Sequence, residues 1–114
     1  MFRIGKRKRF NAVIDTKLNN EYQINTQNNI AFPQINAYLN LLDMAWNNKM
    51  TEDEGALYIA TLYCCGIIKK DGYNKESSKI MDRIDSILDF SVPKGLISKT
   101  FASRCLTDLN KTFD

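Results

Sequence analysis

Hydrophobic positions recur along most of this chain with the three-and-four spacing of amphipathic helices. The predicted helices cover about 10–22, a segment that starts near 33, Thr51 to about 70, about 75–90 and about 94–111. Proline at 33 favours a helix start, because a residue in the first turn needs no backbone N–H. Residues 3–10 and 22–24 are compatible with short extended segments. We therefore predict an all-α fold, a compact bundle of four to five helices, and leave open a short extended arm at the N-terminus.

The predicted second helix carries hydrophobic residues around most of its circumference, Leu39 and Met44 among them. We therefore expect it to be mostly buried. Its polar positions form a narrow stripe of Asn36, Asn40, Asp43 and Asn47. Neutral amides cost less to desolvate than charged groups, so this stripe is a candidate interface. The alternative is an ordinary solvent-facing side.

The predicted third helix is hydrophobic on all sides. It opens with Thr51 and Glu54, the spacing of a capping box in which each side chain accepts a hydrogen bond from the other residue's backbone N–H. Hydrophobic residues then run almost without interruption from Ala56 to Ile68. A helix of this kind in a water-soluble protein lies at the centre of the fold, so we expect the other helices to pack around it.

The composition is that of an ordinary globular domain. The chain has 114 residues, of which 44% are hydrophobic and 25% are charged. The longest hydrophobic stretch is too short to span a bilayer, and the residues after the basic start are too polar for a secretory signal. We expect a soluble, cytoplasmic protein.

Positive charge is concentrated at the start of the chain. Five of the sixteen basic residues are Arg3, Lys6, Arg7, Lys8 and Arg9, and the rest of the chain is mildly acidic. We therefore divide the chain into a basic arm, 1–9, and a single helical domain, 10–114. The arm is a candidate site for nucleic-acid phosphates. A solvated tail is the alternative, and a membrane surface is not favoured because few hydrophobic residues accompany the charges.

A second charged feature is the acidic stripe Asp82, Asp85 and Asp89 on one face of the fourth predicted helix. It is a candidate interface for a cationic partner, for the basic arm of the same chain, or for a second copy. A solvated helix face is the alternative. No metal site is predicted there, because a helix face holds the carboxylates apart.

A polar corner separates the third and fourth predicted helices. The sequence from Lys70 through Gly72, followed by Glu76, is similar to the corner of the tellurite-resistance TerB-like helical bundles. The acids that follow the glycine in that family are replaced here by Tyr73 and its neighbours, so the resemblance implies no function. We interpret the segment as a turn between two helices.

The sequence offers no catalytic set. It contains no histidine, the commonest general base at neutral pH, and its glycines are scattered rather than clustered in a phosphate-binding loop. Cys64 and Cys65 lie in the most hydrophobic part of the chain, where a thiolate is disfavoured, and Cys105 has no paired spacing. We predict no catalytic residue, metal site or cofactor, and hence no enzyme.

These features together favour a non-catalytic macromolecule-binding protein. The leading hypothesis is a small protein-interaction module of the inhibitor, immunity or adaptor type, which binds a protein partner through a helix face. The alternative is a nucleic-acid-binding protein that uses the basic arm. Association with a second copy of the chain stays open.

Overall fold

The computed structural model describes residues 5–26 and 35–112. Within these ranges the regular secondary structure consists of helices, with no strand. The prediction of an all-α bundle is confirmed. The helices are α1 (Lys6–Asn20), α2 (Ile35–Asn47), α3 (Glu52–Asp71), α4 (Lys75–Ser91) and α5 (Lys99–Lys111).

Helix α3 is the centre of the bundle, as its hydrophobic sequence predicts. It packs against each of the other four helices, while α1 also packs against α2. Its small residues Ala56, Ala60 and Cys64 are fully buried and permit close helix approach. Gly55 serves the same purpose against α1, because a Cβ atom there would lie 2.7 Å from Cδ1 of Ile14.

Side-chain caps set the starts of the last three helices. The capping box at the start of α3 is confirmed: Glu54 donates its N–H to Thr51 Oγ1 at 3.1 Å, and Thr51 donates its N–H to Glu54 Oε1 at 2.9 Å. At α4, Asn74 and Ser77 form a similar pair that the sequence analysis did not identify. Helix α5 begins five residues later than predicted, because its cap is Ser98, which accepts a hydrogen bond from Phe101 N–H.

The first helix begins earlier than predicted. It starts at Lys6 and continues across the predicted boundary between residues 9 and 10, so the basic segment from Lys6 to Arg9 is helical rather than extended. Lysine and arginine have high helix propensity, and Phe10 anchors the turn by packing edge-to-face on Trp46, with ring centroids 5.3 Å apart. Arg3 lies outside the described residues.

Helix α2 is less buried than predicted. Its residues Tyr38, Leu42 and Ala45 are buried, but Leu39 and Met44 are each 47% exposed. The expectation of a mostly buried helix is therefore wrong. Helix α2 packs on α3 and α1 from one side, and one-sided packing leaves the opposite hydrophobic positions in solvent.

The polar corner between α3 and α4 is a helix–helix turn, as predicted. Helix α3 ends at Gly72, whose φ of 75° lies in a region that favours glycine. Its N–H donates to the carbonyl of Ile68 at 2.8 Å, and Asn74 then caps α4. A turn and a helix cap therefore account for the path of the backbone at the corner.

Candidate interaction surface

The solvent side of α2 combines exposed hydrophobic and polar side chains. At 100° per residue, Leu39, Asn40, Asp43, Met44 and Asn47 fall within an arc of about 140°, with Leu39 and Met44 at its two edges. We call these five residues the α2 surface. Asn40 and Asn47 are exposed and Asp43 is half-buried. Asn36 belongs to the same stripe, but its side chain lies outside the described set.

The structure brings the predicted stripe and the predicted basic arm together. Arg7 Nη2 donates a hydrogen bond to Asp43 Oδ1 and forms an ion pair with it. Asp43 carries the only formal charge in the α2 surface, and Arg7 compensates it. The α2 surface therefore presents two neutral amides and a charge-paired Asp43 between two hydrophobic side chains.

The opposite side of α2 is braced by polar contacts, and an aromatic contact braces the side next to Leu39. Tyr38 Oη donates a hydrogen bond to Asp15 Oδ1 of α1 at 2.8 Å, and Thr26 Oγ1 donates to the same oxygen at 2.6 Å. Burial and the hydrogen bond to Asp15 raise the pKa of Tyr38, so its phenol stays protonated and remains a donor. Together with the Phe10–Trp46 contact, these bonds hold α2 in a fixed orientation.

The basic residues at the start of α1 do not form one face. Lys6, Arg7, Lys8 and Arg9 are exposed and follow one another at 100° intervals around the helix. The first turn contains no acidic residue, and Gly5 provides no side-chain cap. Cations at this end oppose the helix dipole, so these charges do not help to stabilise α1.

The acidic stripe on α4 lies apart from the basic residues. Asp82, Asp85 and Asp89 are all exposed. Within the described ranges, no ion pair joins them to Lys6, Arg7, Lys8 or Arg9. The other ion pairs of α1 run from Lys17 to Glu21 at 3.3 Å and to Asp53 of α3 at 2.9 Å. The structure therefore pairs the basic segment with α2, through Arg7 and Asp43, and not with α4.

The three cysteines are buried, free thiols. Burial raises the pKa of Cys64 to about 12 and that of Cys105 to about 11. Both are therefore protonated at neutral pH, a state in which a thiol is a poor nucleophile. Across 5–26 and 35–112, no three His, Cys, Asp or Glu side chains are grouped in a way that could hold a metal ion. No helix in those ranges has the length and hydrophobicity needed to cross a membrane.

Sequence reasoning missed the two hydrophobic residues that make this surface distinctive. Leu39 and Met44 were assigned to the core because α2 is hydrophobic around most of its circumference. A signal was present, since Leu39 lies four residues from Asp43 and Met44 four from Asn40, which places both beside the polar stripe.

Comparisons with protein-family models, with curated proteins and with solved structures find no match to this chain.

Proposed function

We propose that this protein is a non-catalytic interaction module that binds a protein partner through the α2 surface. The observation that carries the proposal is the exposure of Leu39 and Met44, each 47% exposed, on either side of neutral amides and a charge-paired Asp43. Cores of protein interfaces are poor in uncompensated charge and rich in large hydrophobic side chains, methionine included. The α2 surface has this composition.

The energetics favour an anchoring role for the two hydrophobic residues. Completing the burial of a half-exposed leucine or methionine contributes about 1 kcal/mol. The side chains of Asn40 and Asn47 can exchange water for hydrogen bonds to a partner without the cost of desolvating a charge. Because Tyr38 braces α2 from behind and Trp46 braces it at the side next to Leu39, little ordering of the backbone is needed on binding.

The proposed site of action is the cytoplasm. Three unpaired cysteines support this assignment, because reduced thiols are the usual state of cysteine in that compartment. An inhibitor, immunity or adaptor role would each require only a surface of this kind and no catalytic residue.

Site-specific photo-crosslinking in the native cell tests the proposal. A benzoylphenylalanine residue placed at Asn40 should form a covalent complex with one protein partner, whereas the same residue placed at Asp85 on α4 should not. Leu39→Ser should lower the yield of that complex about fivefold, the equivalent of about 1 kcal/mol.

A matched control exists in Leu96, which is 43% exposed in the turn between α4 and α5. Leu96→Ser removes a leucine of similar exposure from a different part of the surface and should leave the yield unchanged. An equal loss in both variants, or no complex from position 40, would contradict the proposal.

A second candidate is nucleic-acid binding through the basic start of α1. The observation in its favour is that Lys6, Lys8 and Arg9 are exposed at an uncapped helix end where their charges do not stabilise the helix. Replacing all three by glutamine keeps the turn that holds Phe10 in place. The variant should elute from DNA–cellulose at lower salt than the wild type, because each phosphate contact adds to the salt dependence of binding. Unchanged elution would exclude this segment as the binder.

A further inference from the structure

A cleft of about 320 Å³ lies between the α2–α3 turn, the first half of α3 and one side of α5. Its more buried lining consists of Met50, Glu54, Tyr58, Phe101 and Cys105. The thiol of Cys105 is the most buried of these groups, and burial raises its pKa to about 11, so it is neutral at physiological pH. Tyr58 and Phe101 therefore give the cleft an aromatic wall, Glu54 places one carboxylate in the more buried lining, and the volume is at the lower end of the range for ligand sites.

The cleft is continuous with the α2 surface. Tyr58 is half-buried, and its Oη donates a weak hydrogen bond to Sδ of Met44 at 3.9 Å. Met44 forms one edge of the α2 surface and Tyr58 lines the cleft, so a protein seated on α2 reaches the cleft across this contact. Helices α2 and α5 both pack on α3, and the cleft is the space left between the end of α2 and α5.

The backbone at the edge of the cleft is strained at a lysine. Lys49 has a φ of 56°, in the left-handed region, and occupies the position after α2 where glycine is usual. The surrounding bonds are those of a Schellman ending: Lys49 N–H donates to Trp46 O at 3.0 Å and Met50 N–H donates to Ala45 O at 3.1 Å. Lys49 is one of the residues that line the cleft.

The cations that line the cleft are not ion-paired with acidic side chains of the described residues. Lys49 and Arg104 are exposed, and neither forms an ion pair within 4.0 Å to a described residue. The carboxylate of Glu54 already accepts the N–H of Thr51. Glu54 keeps its negative charge and Asp108 is the one other acid in the lining, so the two cations face two carboxylates, of which that of Glu54 is held in the capping box at the start of α3.

We propose that this cleft binds an aromatic side chain and a neighbouring carboxylate of the protein partner, the ring lying against Tyr58 and Phe101 and the carboxylate meeting Arg104 and Lys49. This inference rests on the proposed function, because it supplies the partner with its anchor residues. Arginine is suited to this task, since its guanidinium binds a carboxylate through two parallel hydrogen bonds.

The chemistry of the cleft is tested with small probes in the full chain. 3-Phenylpropionate should shift the backbone amide NMR signals of Tyr58, Phe101 and Arg104, and should bind more tightly than its amide or than 2-phenylethylamine. Arg104→Gln should weaken the binding of 3-phenylpropionate about fivefold, as expected for an exposed ion pair. Arg83→Gln, the same substitution at an exposed arginine of α4, should leave it unchanged. Equal binding of the three probes, or shifts confined to other residues, would overturn the proposal.

The identity of the occupant is tested by the crosslink from position 40. Arg104→Gln should lower its yield about fivefold, and Arg83→Gln should not. If the probes bind but the crosslink is unchanged, the cleft is a site for a small molecule and the proposed anchor is wrong. If position 40 forms no crosslink, the proposed function fails, while the probe titration still decides the chemistry of the cleft.

Discussion

Arg7 in the first turn of α1 is ion-paired with Asp43 on the solvent side of α2, across 36 positions of sequence. The pair joins the two segments that sequence analysis selected separately as binding candidates. It also explains why the α2 surface presents no uncompensated charge.

The Arg7–Asp43 ion pair should make a small contribution to stability. Its side chains are 48% and 47% exposed, and ion pairs of that exposure are screened by water and salt. A double-mutant cycle with Arg7→Gln and Asp43→Asn should give a coupling energy of about 0.5 kcal/mol in urea denaturation at low salt. The coupling should fall in 1 M NaCl. A coupling above about 2 kcal/mol would show that the pair is not an ordinary surface pair.

Two glycines of α3 should respond in opposite directions to alanine. Gly55→Ala should lower the free energy of unfolding by about 1–3 kcal/mol, because the new Cβ would lie 2.7 Å from Ile14 Cδ1. In Gly66→Ala the new Cβ atom meets open space on the same helix. This substitution should raise the free energy of unfolding by up to about 1 kcal/mol, because alanine has a higher helix propensity than glycine. Urea denaturation of both variants provides the measurement, and stabilisation by both would contradict the close approach of α1 to α3.

The contribution of the α5 cap to stability can be measured by replacing serine with alanine at two positions. Ser98→Ala removes the oxygen that accepts a hydrogen bond from Phe101 N–H at 3.1 Å, and should lower the free energy of unfolding by about 1 kcal/mol. Ser103→Ala, at an exposed position inside the same helix, should leave it unchanged or raise it slightly. If both variants lose a similar amount of stability in thermal denaturation, Ser98 is not the residue that caps the start of α5.

Stability should fall in alkaline solution because of the buried thiols. The pKa of Cys64 is raised from 9.0 to about 12 and that of Cys105 to about 11, in both cases chiefly by burial. The two thiols stabilise the folded state fully below pH 9, the pKa of a cysteine thiol in the unfolded chain. This stabilisation is lost as the pH rises toward 11–12. Each thiol adds a slope of at most about 1.4 kcal/mol per pH unit over that interval.

Urea denaturation of the reduced protein between pH 7 and 11 measures this slope. Cys64→Ala should make the decline above pH 9 shallower, even if its stability at pH 7 is lower, because one titrating group has been removed. An unchanged slope in that variant would show that Cys64 is not the group responsible.

Much of the fold was determined by the sequence alone, because the signals involved are local. The capping box depends on Thr51 and Glu54, three residues apart, and the hydrophobic residues of α3 follow on directly from it. The central place of α3 follows from the same stretch, since a helix without a polar side has to be surrounded. Local signals were weaker at helix starts: the basic turn at Lys6 and the cap at Ser98 were both misplaced.

The candidate surface was decided only by the tertiary structure. Leu39 lies beside the polar stripe, but its hydrophobic side chain is as compatible with the core as that of Leu42. Leu42 is buried and Leu39 is exposed because α3 and α1 cover only one side of α2. The Arg7–Asp43 pair and the cleft between Tyr58 and Phe101 likewise join residues of different helices. Hydrophobic periodicity specifies the faces of a helix, but the packing of distant helices determines which face meets water and which partner each charge finds.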